Sequence, residues 1–176
     1  MPYIRVMITI ISATHRSGSA SLKVAQEISR LANERGIENQ IWDFQSLPQD
    51  FLFSNMFGQR TGAFDAMLEQ FIHPIDQIIW VVPEYNGSFP GVTKLVLDAV
   101  PPKTWQNKWS FLVGVSSGAA GNLRGQEHLT GVMHYLKMHV HYFKPKLSAI
   151  EGSWTNGEMT GRNQEQLISL LDQLKN

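Results

Sequence analysis

The sequence predicts an α/β fold built on a parallel sheet, and three observations carry that prediction. Short apolar, β-branched runs alternate along the chain with longer stretches of helical periodicity, the order that βαβ units leave in a sequence. The central run, residues 78–82, is apolar at every position, which suits a strand buried on both faces. Polar loops rich in Ser, Gly or Asn follow the first, third and fourth strand runs, and open α/β sheets bind ligands at such strand ends.

The first strand is expected over residues 4–11. After the loop 12–21, Leu22, Ala25, Ile28, Leu31 and Ala32 mark one helix face, and Gly36 is a C-terminal cap. Residues 37–44 read as the second strand. Residues 45–60 are irregular and aromatic, with Phe51, Phe53 and Phe57 close together. Phe64, Met67, Leu68, Phe71 and Ile72 form the next helical stripe, which Pro74 ends. The third strand closes at Pro83, since proline cannot donate to a ladder. Asn86-Gly87 is a turn dipeptide, and Pro90 suits a first helical turn. Val92, Leu95, Val96 and Ala99 then repeat at helical spacing up to Pro101-Pro102. Trp109–Val115 is the fourth strand. A loop over 116–122 leads to a helix with Leu129, Val132, Met133 and Leu136 on one face. Residues 140–143 read as the fifth strand and 151–161 as loop. Leu167, Leu170, Leu171 and Leu174 close the chain as a helix. Five strands and five helices fit a three-layer, flavodoxin-like sandwich of strand order 2-1-3-4-5, an order taken by analogy.

Composition narrows the function classes. The 176 residues fit a single domain, residues 1–176. Formal net charge is zero, which argues against a nucleic-acid partner. No basic-then-apolar leader and no apolar run of about 18 residues is seen, so no membrane partner is expected. The chain has no cysteine, which excludes disulfides and thiolate chemistry and fits a reducing, cytoplasmic location. His134, His139 and His141 lack the spacing of a metal site.

The first loop places Thr14, Arg16, Ser17, Ser19 and Ser21 at a helix start. Helix N-terminal amides favour a phosphate, and arginine adds charge-assisted donors. The competing reading is a solvated loop in which Ser19 only caps the helix. G-x-G-x-x-G and G-x-x-x-x-G-K-[ST] are both absent, which counts against a dinucleotide Rossmann domain and a P-loop NTPase.

PEYNGSFPG at residues 83–91, with Lys94 after it, resembles the signature loop of the NADPH-dependent FMN reductase family, P-E-Y-N-x-S-x-P-G-x-x-K. The first loop is similar to that family's G-S-x-R-x-x-S stretch, with Ala13 and Thr14 in place of its glycine and serine. The third is similar to a Ser-Gly-Gly stretch, with Ala119 for the second glycine. The resemblance implies that FMN is the cofactor, with NADPH or NADH as co-substrate. It implies that Thr14, Arg16, Ser19, Ala20 and Ser21 hold the flavin phosphate. Pro83, Glu84, Tyr85, Asn86 and Gly87 would run along the ring, largely by backbone. Ser116, Ser117, Gly118 and Ala119 would meet its pyrimidine edge.

The implied activity is NAD(P)H oxidation by a ping-pong mechanism. The acceptor would be a small molecule: free flavin, a quinone, an azo compound or a metal oxyanion. A homodimer or homotetramer is implied, and the aromatic stretch 51–57 suits either an interface or a core-covering loop. Hydride transfer needs no protein nucleophile, so no catalytic side chain is assigned, Glu84 included. Two other readings stay open. One is a flavodoxin-type electron carrier, which usually shows an acidic docking surface. The other is a flavin-free binding module of the same fold.

Overall fold

The computed structural model describes residues 7–174. The opening residues 4–6 of the expected first strand lie outside them. The chain runs β1 (Met7–Ser12), α1 (Ala20–Glu34), β2 (Glu38–Asp43), α2 (Phe51–Ser54), α3 (Gly62–Phe71), β3 (Gln77–Pro83), α4 (Gly91–Ala99) and α5 (Pro102–Trp105). It continues through β4 (Trp109–Val115), α6 (Leu123–Tyr135), β5 (His139–Val140), β6 (Lys146–Leu147), β7 (Trp154–Thr155), β8 (Glu158–Met159) and α7 (Gly161–Leu171).

The main sheet is parallel, with order β2-β1-β3-β4-β5. Side chains alternate across it because strand period is two. Ile8, Ile10, Ile79 and Val81 face Val24, Ile28 and Leu31 of α1 and Leu167 and Leu170 of α7. Ile11, Ile78, Trp80 and Val82 face α3, α4 and α6 through Phe64, Leu68, Val96, Leu129 and Met133. These are the three layers that the sequence predicts.

The fifth strand differs from its expected form. It is two short segments, and both pair with β4: His139 opposite Trp109, and Lys146 opposite Gly114. Pro145 sits between them and has no N–H to give to a ladder. Its carbonyl instead accepts from Gly114 N at 2.9 Å and from the buried Gln126 amide at 2.8 Å. Pro90 is the N-cap of α4, with Gly91 the first helical residue, one position later than expected. Gly36, with φ of 68°, follows the α1 C-cap Arg35, and Ile37 N closes the turn on Ala32 O at 3.0 Å.

Residues 45–60 contain α2, and Phe51 is buried edge-on against Phe64 at 4.9 Å. Phe53 and Phe57 are 84% and 96% exposed, so this one stretch both covers the core and displays apolar surface. Residues 151–161, expected as loop, include a 3₁₀ turn and the β7–β8 hairpin. No helix among the described residues is long and apolar enough to cross a membrane.

Register fixes where the loops emerge. Ser12 lies opposite Val81, and Pro83 lies opposite Val115, so β1, β3 and β4 end side by side.

Candidate functional site

The first loop leaves β1 without breaking the sheet edge. Ala13 N donates to Val81 O at 3.0 Å, and Thr93 Oγ1 donates to Ala13 O at 2.8 Å. Ala13 is fully buried and does not adopt positive φ, so an alanine fits where the family pattern has glycine. Thr14 Oγ1 lies 2.8 Å from Tyr85 Oη and ties the first loop to the second. Ser19 caps α1, its Oγ accepting from Leu22 N at 3.1 Å. Ser21 is fully buried, yet its hydroxyl has no hydrogen-bond partner among the described residues. Arg16 is exposed and forms no ion pair among the described residues.

In the second loop, Tyr85 N donates to Ser88 O at 2.9 Å and Ser88 N to Tyr85 O at 3.1 Å. Asn86 and Gly87 between them have φ of 51° and 73°, the geometry of a two-residue type I′ turn. Its left-handed backbone is what favours glycine at Gly87; a Cβ there would also stand 2.9 Å from Arg124 Nη1, the mobile end of a side chain that can shift aside. Glu84 N donates to Val115 O at 2.9 Å, and the Asn122 amide donates to Val82 O at 2.9 Å. These bonds fix the loop to β4 and to the start of α6.

The third loop is closed by Ser116, whose Oγ donates to Gly118 O and accepts from Gly121 N, each at 2.9 Å. Ser117 Oγ donates to Glu151 Oε1 at 2.6 Å. That hydroxyl, followed by Glu151's own backbone N–H, holds the Glu151 carboxyl below the usual carboxylate range.

The loops meet around a cavity of ≈ 390 Å³. Arg16, Ser19, Ala20 and Ser21 form one side, with Lys23 of α1. Pro83, Glu84 and Tyr85 form the floor with Ser116 and Ser117. Ile150, Glu151 and Trp154 close the remaining side. Thr14, Asn86, Gly87, Gly118 and Ala119 are not part of this wall; Thr14 and the Asn86-Gly87 turn shape it from behind. Gly18, Lys23, Val115, Ile150, Glu151 and Trp154 are the wall residues that sequence reasoning missed. A tryptophan within a polar stretch was the available signal for the last of these.

A larger hollow of ≈ 570 Å³ lies between α4 and α6, lined by Leu97, Val132, Leu136 and Tyr135 among others. It is mainly apolar and contains no orphaned buried hydroxyl. The loop cavity is the stronger site, because strand ends, two cations and the unpartnered Ser21 converge on it. A phosphate ester fits this donor set. Ser21 lacks an acceptor, Ser19 can still donate, and the first amides of α1 add a partial positive charge. The backbone of 83–85 and the small Ser116 and Ser117 border the rest of the cavity, where the flavin ring would lie. FMN therefore suits the residues present.

The chain is similar to known proteins in sequence and in fold. The family model for NADPH-dependent FMN reductase matches residues 6–143. A 2-hydroxy-1,4-benzoquinone reductase from a Burkholderia species is 32% identical over 133 residues, covering 73% of this chain and 70% of its own. An NAD(P)H-dependent FMN reductase of Pseudomonas aeruginosa is 28% identical over 137 residues, with the same shares covered. Among solved structures, the apo NADH:FMN oxidoreductase EmoB superimposes with TM-score 0.74 at 19% identity, over 95% of this chain and 87% of that one. FerB, an NAD(P)H:acceptor oxidoreductase of Paracoccus denitrificans, does so with TM-score 0.70 at 19% identity, over 96% of each chain.

Proposed function

Because the chain belongs to the NADPH-dependent FMN reductase family, we propose that its three-loop cavity binds FMN and passes reducing equivalents from NAD(P)H to a small quinone. The family identifies the chain as an oxidoreductase with FMN as cofactor and NAD(P)H as co-substrate. The observation that supports the site is Ser21: a fully buried hydroxyl without a partner, in a cavity wall that also carries Arg16 and Lys23.

FMN supplies the hydride chemistry when bound; the chain supplies position and electrostatics. Arg16, Ser19, Ser21 and the α1 amides hold the phosphate. Pro83, Glu84 and Tyr85 support the ring from the strand end, and their backbone is fixed by the bonds to β4. Ser116 and Ser117 border its far edge. No side chain here transfers a proton. Quinone is the first acceptor class to test because the Burkholderia relative is named for one. Free flavin, azo compounds and metal oxyanions are the other candidates.

A single site used in turn by both substrates gives ping-pong kinetics. With FMN-loaded protein, initial rates against NADPH at several quinone concentrations should give parallel double-reciprocal lines. Intersecting lines would show that both substrates bind together and would reject the shared site.

We also propose that the protein assembles as a homodimer or larger. Leu52, Phe53 and Phe57 are 49%, 84% and 96% exposed on one short stretch, an apolar surface that a partner subunit would cover. Light scattering at micromolar concentration should report at least two subunits, and Phe53→Ser with Phe57→Ser should shift it toward the monomer. A monomeric wild type contradicts this assembly.

A further inference from the structure

The stretch 149–151 is fastened to the third loop at three points. Ala149 N donates to Gly118 O at 3.1 Å, Ile150 N to Ser116 O at 3.2 Å, and Ser117 Oγ to Glu151 Oε1 at 2.6 Å. Ser116, Ser117 and Glu151 all line the cavity, so the Ser117 hydrogen bond ties the exposed carboxylate to this wall. It forms no ion pair among the described residues. The cations of the same wall, Arg16 and Lys23, come from the first loop and α1. Glu84 also borders the cavity, but no side-chain bond holds its carboxylate in place among the described residues.

Resting on the FMN reading above, we propose that Glu151 sets the reducing power of the bound flavin. NAD(P)H gives two electrons and one proton as a hydride, and NAD(P)⁺ leaves. The flavin ring, neutral before, then carries one added negative charge. A fixed carboxylate in the same wall opposes that charge, whichever way the ring lies in the cavity. The reduced cofactor is therefore harder to form and is a stronger hydride donor to the acceptor. Ser117 is a positioning residue: it holds the carboxylate against the cavity and keeps it ionised.

Two variants separate charge from position. Glu151→Gln removes the charge and keeps an oxygen that can accept from Ser117. Ser117→Ala keeps the charge and removes the bond. Both changes are at the surface of the cavity and leave the core untouched. The readout is the two-electron midpoint potential of the FMN-loaded proteins, measured by anaerobic equilibration with a reference dye. Glu151→Gln should move the equilibrium toward reduced flavin by about tenfold at low salt, which is about 30 mV upward for a two-electron couple. The difference from wild type should narrow as ionic strength rises, because the carboxylate is solvent-exposed. Ser117→Ala should shift the potential less. A Glu151→Gln potential equal to wild type overturns the proposal, and so does a Ser117→Ala shift as large as that of Glu151→Gln. Wild-type protein that takes up no FMN overturns the cofactor reading instead, before any potential is measured.

Discussion

Arg16→Ala should lower FMN affinity about ten- to a hundredfold and leave riboflavin affinity almost unchanged. A phosphate monoester carries nearly two negative charges at neutral pH, and Arg16 is an exposed cation in the cavity wall with no ion pair among the described residues. A hydrogen bond to a charged group contributes roughly 1.5–3 kcal/mol, which sets the size of the loss. Lys23 stays in the wall and keeps the loss from being larger. Ser19→Ala should cost less FMN affinity, since the α1 amides remain as donors. It should also cost about 1 kcal/mol of stability, because that hydroxyl caps the helix. Thr14→Ala should act on the loop rather than on the phosphate, by cutting the link to Tyr85. Riboflavin lacks the phosphate and serves as the control. Flavin-fluorescence titrations of wild type and Arg16→Ala with both ligands give the answer. Equal weakening of both ligands, or of neither, would remove Arg16 from the phosphate site.

Most of the fold was legible because its signals are local. The apolar run of β3, the Ser19 cap and the Asn86-Gly87 turn each depend on a few neighbouring residues. The parts that were not legible depend on distant contacts. The fifth strand splits because Pro145 turns its carbonyl to Gly114 and Gln126, a pairing no window of sequence contains. The 148–160 stretch is organised from outside it, by the Asn163 amide donating to Ser148 O at 2.9 Å and to Ser153 Oγ at 2.7 Å. Glu151 and Trp154 reach the cavity through that arrangement and through the bonds of Ala149 N and Ile150 N to the third loop. Periodicity could not find them, because turns and two-residue strands have none.

The site shows the same division. Residue types at 14–21 pointed to a phosphate, but the two readings of Ser19 could not be separated from sequence. The structure shows that it caps the helix while bordering the cavity. An orphaned hydroxyl belongs to Ser21, two positions on; Ser12, at the end of β1, has another. Ala13 looked like a departure from the family loop. Its backbone proves to be held in an ordinary conformation between Val81 and Thr93, where a methyl group is accommodated.

FMN held in this cavity should be reduced there by NADPH. The most direct test is an anaerobic absorbance measurement. Protein incubated with FMN and freed of excess by gel filtration should elute yellow, since the phosphate donors of the first loop and α1 retain the cofactor. Adding NADPH without oxygen should bleach the flavin band almost completely, and a quinone added next should restore it. Protein that elutes colourless would contradict the binding site. A retained flavin that NADPH leaves unbleached would contradict the reductase and favour an electron carrier of the same fold.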